Sequence, residues 1–325
     1  MESKECIHCG KCTRNCVFLE KYKIDIGDMK EYPELLYHCF LCGKCTEVCP
    51  IGIDGREVIL NMRQKQVSDN RDRVKEKGYD MLIQEKQDYI FANYKNQTKK
   101  SVLFPGCNFP SFYPNTTKAI IELLKKEAGI GVVFDCCGKP VAELGLQKKE
   151  EEIIERMSER FEKAGIEEII MLCPNCYHFL KPRLKIRVVS IYEKLHKLGL
   201  GNKLSEKLHI FPPCPDRESR EILSDIQLFL EEEPEIIQSA QCCGLGGCAG
   251  GKEPELAEKM VRTVVEEAKE EDYLFYTYCA SCSGNFARKG YSNAEHILLR
   301  VLDLEEKPDT KKSMINRAKT KYWRG

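Results

Sequence analysis

Cysteine is the residue type in this sequence with the most chemistry to offer, and its spacing is regular. The chain has 19 cysteines in 325 residues, and four blocks contain all but one of them. The last two blocks repeat each other: each has a lone cysteine, a Cys-Cys-Gly triplet and, after 34 intervening residues, a Cys-x-x-Cys pair. Thiolates bind soft metals and iron–sulfur clusters, so the repeat predicts two metal clusters on a duplicated scaffold. The ten cysteines are Cys107, Cys136, Cys137, Cys173 and Cys176 in the first copy, and Cys214, Cys242, Cys243, Cys279 and Cys282 in the second.

The two N-terminal blocks share the spacing Cys-x-x-Cys-x-x-Cys-x-x-x-Cys. This run resembles the two-cluster bacterial ferredoxins, in which three closely spaced cysteines hold one cubane and the fourth ligates the other cluster. The ligand sets are therefore predicted to be crossed. One [4Fe-4S] cluster is assigned to Cys6, Cys9, Cys12 and Cys49, and the other to Cys39, Cys42, Cys45 and Cys16.

Zinc and disulfides are the alternative uses of closely spaced cysteines. Zinc ribbons usually divide their thiolates between two separated knuckles, whereas each N-terminal block is a continuous run of four. An odd cysteine count leaves one thiol over in any disulfide scheme, and the first residues show no apolar core of a secretion signal. Iron–sulfur ligation is therefore predicted, although Val17 follows Cys16 where the ferredoxin pattern has proline. Gly10 and Gly43 are expected to let the backbone approach a cluster closely.

Charge and hydropathy exclude several classes of function. Lys plus Arg and Asp plus Glu number 51 each, so no overall positive field points to nucleic acid. No apolar run approaches the roughly 20 residues that cross a bilayer. Free thiols that are held by metals fit a reducing compartment. We expect a cytoplasmic protein without a transmembrane segment of its own, with any peripheral membrane association made through a partner.

The cysteines of the repeat stand at the ends of predicted strands. Strands that alternate with helices indicate parallel α/β layers, and such sheets bind ligands beyond the carboxyl ends of their strands. Each copy therefore gathers five thiolates from three strand ends, with Gly138 and Gly244 allowing close backbone approach. The strands are predicted at 101–107, 131–134 and 168–172, then 208–214, 235–237 and 273–276, and the helices at 116–127 and 150–164, then 218–229 and 255–269.

Both five-cysteine motifs resemble the cysteine-rich CCG family typified by the catalytic B-type subunit of heterodisulfide reductase. The N-terminal blocks resemble its C-type electron-transfer subunit, and the fusion in one chain is similar to the D-type subunit. The resemblance implies an anaerobe, a link to methanogenesis and an unusual noncubane [4Fe-4S] cluster on each motif. It also implies that the disulfide CoM-S-S-CoB is split between the two clusters. The catalytic and metal residues carried over are the ten cysteines of the repeat.

The predicted fold class joins α+β and α/β elements. Residues 1–100 are expected to form a helical, ferredoxin-like electron-transfer domain with two [4Fe-4S] clusters, in which 53–100 is a helical bundle. Residues 101–199 and 200–325 are expected to form two α/β CCG repeats with parallel strands.

Two functions compete. The first is a disulfide-reducing oxidoreductase of the heterodisulfide type, which two complete cysteine sets favour. The second is an iron–sulfur electron-transfer subunit, either of a glycerol-3-phosphate, glycolate or lactate dehydrogenase or of a thiol:fumarate reductase. No flavin or nicotinamide fingerprint is present, so electrons must come from a partner: a flavoprotein, a hydrogenase-linked subunit or a membrane cytochrome. The expected small-molecule partner is a disulfide or thiol.

Four further features are predicted to be structural. Cys248, the cysteine outside the motifs, is expected to be a small buried residue, not a sixth ligand or redox switch. His178 is expected to be a hydrogen-bonded or surface histidine, not a proton donor. Residues 68–78 are predicted to be a solvated helix surface or turn. The basic tail at 307–325, with Tyr322 and Trp323, is expected to be frayed and solvated, not a docking segment.

Overall fold

A computed structural model describes residues 5–98, 100–238, 240–268 and 274–324. Lys269, at the end of one predicted helix, and Tyr273, at the start of one predicted strand, lie outside the described residues. In the described part of the chain, no helix combines the length and the apolar character needed to cross a bilayer.

The N-terminal part of the structure is built from short helices around the first two cysteine blocks. Asp54 caps the long helix that follows, because its Oδ1 accepts hydrogen bonds from the backbone N–H of Arg56 at 2.9 Å and of Glu57 at 3.2 Å. This helix ends in an exposed turn, which confirms the solvated segment predicted at 68–78. The helices are α1 (Lys11–Asn15), α2 (Val17–Tyr22), α3 (Lys44–Glu47), α4 (Gly55–Asp69) and α5 (Asp80–Gln87), with 3₁₀ helices at Asp28–Glu31 and Pro33–His38.

A mixed sheet forms the centre of the first cysteine-rich repeat. Its strands are ordered β1-β3-β2-β4-β5, and β1 is antiparallel to β3 while the other pairs are parallel. The strands are β1 (Asn93–Asn96), β2 (Lys100–Phe104), β3 (Gly131–Phe134), β4 (Ile166–Met171) and β5 (Arg187–Ser190). The helices are α6 (Phe109–Phe112), α7 (Pro114–Ala128), α8 (Lys139–Glu143), α9 (Gln147–Ala164), α10 (Pro174–Leu180) and α11 (Ile191–Lys197).

A parallel sheet ordered β7-β6-β8-β9 forms the centre of the second repeat. Its strands are β6 (His209–Ile210), β7 (Glu235–Ile236), β8 (Phe275–Thr277) and β9 (Ala294–His296). The helices are α12 (Glu221–Gln227), α13 (Pro254–Ala268), α14 (Ala280–Arg288), α15 (Ile297–Val301) and α16 (Ser313–Thr320), with 3₁₀ helices at Cys214–Asp216 and Gly246–Cys248.

Apart from the antiparallel β1, the two sheets have the same strand order, which confirms the predicted duplication with parallel strands. Within each repeat the order is second, first, third, fourth, so β3-β2-β4-β5 corresponds to β7-β6-β8-β9. The second strand lies on one side of the first strand, and the third and fourth strands lie on its other side. Open α/β sheets bind ligands at such switch points in strand order. The first cysteine of each repeat follows the first strand, and the Cys-x-x-Cys pair follows the third.

Two expectations about the ends of the repeats are corrected. The predicted helical bundle over 53–100 holds only as far as α5, because residues Asn93–Asn96 form β1, which pairs with β3 and is the edge strand of the sheet. The tail predicted to be frayed instead forms α16 and packs on α6. The backbone oxygen of Trp323 accepts hydrogen bonds from the side chains of Asn93 at 3.0 Å and Asn96 at 2.9 Å, so β1 and the tail hold each other in place.

Arg63, on α4, is fully buried and joins the N-terminal part to both repeats. Its guanidinium donates to the backbone oxygens of Leu36 at 2.8 and 3.1 Å and of Cys39 at 2.9 Å. It also donates to Glu143 O of the first repeat at 2.6 Å and to Gly247 O of the second at 3.0 Å. A buried charge is tolerated only when its hydrogen bonds are satisfied, and here the carbonyl dipoles of three parts of the chain satisfy it.

Arg63→Met is therefore expected to destabilise the protein by at least about 3 kcal/mol, because several buried carbonyls lose a charged donor at once. The measurement is anaerobic urea unfolding of the metal-loaded protein, with Lys65→Met as the control. Lys65 lies on the same helix with its side chain 76% exposed. Equal stability of the two variants would contradict the assigned role of Arg63.

Candidate metal and substrate site

The structure brings the N-terminal cysteines together in the crossed arrangement. One small cavity is lined by Cys6, Cys9 and Cys12 of the first block together with Cys49 of the second. Burial raises the pKa of Cys16, and the thiols of Cys42 and Cys39 raise it further, so Cys16 lies beside the second block. Gly10 (φ 67°) and Gly43 (φ 79°) directly precede helices α1 and α3. A Cβ on Gly10 would meet the side chain of Arg14, and one on Gly43 would meet that of Arg56.

The ten cysteines of the repeat form one continuous row of thiol-to-thiol contacts. The row is symmetric about the contact between Cys173 and Cys279, where the two repeats meet. Its far end is the Cys214–Cys242 contact, with Sγ atoms 3.6 Å apart. In order, the row is Cys107, Cys136, Cys137, Cys176, Cys173, Cys279, Cys282, Cys243, Cys242 and Cys214.

The electrostatics of the row favour thiolates at matching positions. Hydrogen bonds from Cys136 and Cys176 lower the pKa of Cys137 to about 5. Hydrogen bonds from Cys242 and Cys282 lower the pKa of Cys243 to about 6. Both shifts favour the thiolate, the form that binds metals, at the second cysteine of each Cys-Cys-Gly triplet. Five soft sulfur donors at the ends of three strands in each repeat suit an iron–sulfur group.

Cations from outside the cysteine motifs lie beside both ends of the row. A hydrogen bond with Cys136 and burial raise the pKa of Cys107, while the charges of Lys86 and Arg317 oppose this shift. A hydrogen bond with Cys242 and burial raise the pKa of Cys214, while Arg217 and Lys139 oppose it. Each end thus has one lysine and one arginine to offset buried negative charge.

These cations were not predicted from the sequence. Lys86 lies on α5, and Arg317 lies on the tail helix α16, where it donates to Glu85 at 2.7 Å and to Asn108 Oδ1 at 2.8 Å. In a chain with 51 lysines and arginines, neither residue stands in a motif that would distinguish it.

One cavity of about 1540 Å³ runs along the row of thiols. Its wall includes the central pair Cys173 and Cys279, the phenyl rings of Phe112 and Phe179, and the side chain of Asn175. Asn175 Nδ2 lies 3.6 Å from Cys279 Sγ, so this side chain reaches from the first repeat to a thiol of the second. The cavity is large enough for a small-molecule ligand that touches both repeats.

The other residues singled out in the sequence have structural surroundings. His178 Nε2 is 2.7 Å from the buried carboxylate of Asp216, which confirms a hydrogen-bonded histidine. Cys248 was expected to be fully buried, but it is half-buried in the cavity wall. Burial raises its pKa to about 12. A Cβ on Gly247 would lie 2.4 Å from Cys39 O, so the glycine-rich turn packs on the N-terminal domain.

Comparison with known proteins identifies the class. Residues 101–181 and 208–287 each match the cysteine-rich CCG domain, and residues 2–53 match the 4Fe-4S dicluster domain. The chain therefore belongs to the iron–sulfur redox proteins that join a dicluster domain to two CCG domains, as the cysteine motifs predicted.

Three relatives show the range of this class. An uncharacterized iron–sulfur protein of Methanococcus maripaludis is 28% identical over 80% of this chain and 58% of its own length. One subunit of the fumarate reductase (CoM/CoB) of Methanothermobacter marburgensis is 24% identical over 94% of this chain and 72% of its own length. Lactate utilization protein A of a Geobacillus species is 26% identical over 59% of this chain and 93% of its own length. The chain spans little more than half the length of the first of these relatives and of a similar iron–sulfur protein of Methanocaldococcus jannaschii (54%).

The glycines of the two Cys-Cys-Gly triplets approach helices. Gly138 and Gly244 have φ angles of 84° and 77°. A Cβ on Gly138 would lie 3.0 Å from Cγ2 of Ile153, and one on Gly244 would lie 2.7 Å from the backbone oxygen of Ala257. The close approach seen at these glycines is made to α9 and α13, whereas the approach expected from the sequence was to a cluster.

Gly244→Ala is expected to be more destabilising than Gly138→Ala, because backbone cannot move aside as a side-chain methyl can. Both variants incur about 1 kcal/mol of left-handed strain, and the clash adds to it at Gly244. Gly129→Ala is the control, since its φ is 61° and a Cβ there meets nothing within 4 Å. Anaerobic thermal unfolding measures the order, and equal losses in all three variants would refute it.

Cys243→Ser is expected to lower the iron bound per chain, because it removes the central thiolate of one set. Cys248→Ser is the control, because Cys248 lies outside the row of thiols. Iron and acid-labile sulfide are measured after anaerobic reconstitution. Equal iron in both variants would mean that the row is not a ligand set.

Proposed function

We propose that this chain is the catalytic iron–sulfur subunit of a disulfide reductase of the heterodisulfide type, with CoM-S-S-CoB or a related disulfide as its substrate. The observation that supports it most is that Cys173 of the first repeat and Cys279 of the second line one cavity, where Asn175 of the first repeat lies 3.6 Å from Cys279 Sγ. A disulfide needs two electrons and two protons to become two thiols. Two metal sites that face one pocket can each deliver one electron to one sulfur of the disulfide. A protein that only relays electrons does not need such a pair.

The proposed cofactors are four clusters. Two cubane [4Fe-4S] clusters are assigned to a ferredoxin-like domain over 1–100, with Cys49 completing the first ligand set and Cys16 the second. Two noncubane [4Fe-4S] clusters are assigned to the CCG repeats at 101–199 and 200–325. When bound, these groups would supply single electrons and iron sites for the product thiolates.

The side chains of the cavity have distinct tasks in this proposal. Phe112 and Phe179 exclude water from the space in front of the thiols. Asn175 Nδ2, which lies 3.6 Å from Cys279 Sγ, directs its N–H towards the cysteines in the cavity wall. Arg288 and Arg317 are two cations in a wall that also holds carboxylates such as Glu85, and they are assigned to an anionic group of the substrate.

An electron-transfer role is the second candidate. The likeness to lactate utilization protein A and to one subunit of a fumarate reductase (CoM/CoB) favours it. In that role the chain would carry electrons between a partner enzyme and an acceptor, or use thiols as the electron source for a fumarate-reducing partner. Under both candidates the chain exchanges electrons with a partner protein: a flavoprotein, a hydrogenase-linked subunit or a membrane cytochrome.

The disulfide reductase is tested anaerobically with reconstituted full-length protein. Four four-iron clusters predict about 16 iron atoms per chain. Reduced viologen should then be oxidised when CoM-S-S-CoB is added, and added thiol should perturb the EPR signal of the oxidised protein. Cys279→Ser should reduce turnover at least tenfold, because it removes the central thiol where the repeats meet, whereas Lys65→Met should retain it.

The two candidates give different outcomes in this experiment. Full iron content with no viologen oxidation and no thiol-dependent EPR change would favour the electron-transfer role. About half the iron, with neither response, would show that the CCG sets do not both hold clusters and would end the catalytic proposal.

A further inference from the structure

Gln241 makes a buried contact between the N-terminal domain and the second repeat. It directly precedes Cys242, and the residue is 6% exposed. Its Nε2 donates to Cys16 Sγ at 3.3 Å and to Cys42 Sγ at 3.4 Å. The side-chain amide of Gln241 therefore contacts two cysteines of the second N-terminal set, and its backbone is joined by a peptide bond to Cys242 of the second CCG set.

The orientation of this amide is determined by its other end. Oε1 of Gln241 accepts a hydrogen bond from the backbone N–H of Val17 at 2.8 Å. An N–H cannot donate to the amide nitrogen, which is itself a donor. Both hydrogens of Nε2 are thus directed at the sulfurs of Cys16 and Cys42.

The backbone of Gln241 is held at the same place. Its carbonyl accepts from Arg217 Nη2 at 2.7 Å, and the same nitrogen lies 3.8 Å from Cys214 Sγ. Nη1 of Arg217 lies 3.9 Å from Glu47 in the N-terminal domain. Burial lowers the pKa of the half-buried Arg217, and the negative charges of Cys214 and Cys42 oppose this and raise it. The outer end of the thiol row is therefore fastened to the N-terminal domain.

The first repeat has no such connection at the corresponding position in the described contacts. Asp135 directly precedes Cys136, and its Oδ1 accepts from the backbone N–H of Cys136 at 2.7 Å. Its Oδ2 accepts from the hydroxyl of Tyr94 at 2.6 Å, on the edge strand β1. The two repeats share cysteine motifs and strand order, but the second repeat has the glutamine that reaches the N-terminal sulfurs.

We propose that Gln241 is a positioning residue for electron transfer between the second N-terminal set and the second CCG set. Its two N–H···S bonds stabilise the added negative charge when a cluster on Cys16 and Cys42 is reduced, and so raise the reduction potential of that cluster. One electron from a one-electron protein donor then passes to the Cys242 side, and no covalent bond forms or breaks. Electrons reach the second repeat first and the first repeat through the Cys279–Cys173 contact. This inference rests on the proposed cluster assignment.

The test replaces the amide and measures the potential of the cluster directly. Gln241→Met keeps the length of the side chain and removes both donors, and Gln241→Glu places a negative charge there. EPR-monitored redox titration should show a lower midpoint in both variants, with the larger shift in Gln241→Glu. A tenfold change in the ratio of oxidised to reduced cluster at fixed potential, about 59 mV for one electron, is the expected size for Gln241→Met.

Asp135→Asn is the matched control, because it alters the equivalent residue of the first repeat. It should leave that midpoint unchanged. Freeze-quench EPR after mixing with dithionite should also show slower reduction of the CCG sets in Gln241→Met, at wild-type iron content.

The failures are distinguishable. Wild-type midpoints in both Gln241 variants, or an equal shift in Asp135→Asn, would overturn the role of Gln241 and leave the cluster assignment intact. Wild-type protein without a four-iron EPR signal from the N-terminal domain would instead overturn the proposed function. If Gln241→Met loses iron, the midpoint of Gln241→Glu decides the question.

Discussion

The arrangement of this molecule depends on a buried guanidinium that is surrounded by backbone carbonyls. Arg63 accommodates its charge by donating to Leu36, Cys39, Glu143 and Gly247, which belong to three different parts of the chain. These carbonyls lie in or beside the cysteine blocks. Removing one of these carbonyl partners would leave part of a buried charge without a hydrogen bond, which is costly. The N-terminal domain and both repeats, and the cysteines they hold, are therefore kept in fixed relative positions.

The duplicated scaffold is symmetric in topology but not in its surroundings. The four parallel strands of each sheet have the order second, first, third, fourth, and the row of thiols is symmetric about Cys173 and Cys279. The N-terminal domain, however, meets the second repeat through Gln241, while β1 and the tail cover the first. A duplicated fold can thus hold two chemically equal sites and still give them different neighbours.

The sequence was most informative where spacing and periodicity were regular. Residues 131–134 form β3 with the predicted bounds, and the cysteines follow the strands as expected. Periodicity failed at 93–96, where a polar Asn-Tyr-Lys-Asn segment forms a strand only because β3 has a free edge. It also failed at the tail, whose basic composition is typical of a solvated end. Arg317 and Gln241 have roles that come from tertiary contacts to Asn108, Cys16 and Cys42, and no local pattern contains that information.

The tail takes part in balancing the charge of the buried cysteines. Lys86 and Arg317 are the cations beside Cys107, and they come from α5 and α16, outside the first repeat. The cations beside Cys214 are Lys139, from the first repeat, and Arg217. Neither CCG domain supplies both of its compensating charges alone. Since metal binding keeps thiolates negative and couples to folding, the repeats, the N-terminal helices and the tail must be assembled together before the charge of the site is balanced. The tail helix is for this reason part of the site, and its loss would act on the first repeat before the second.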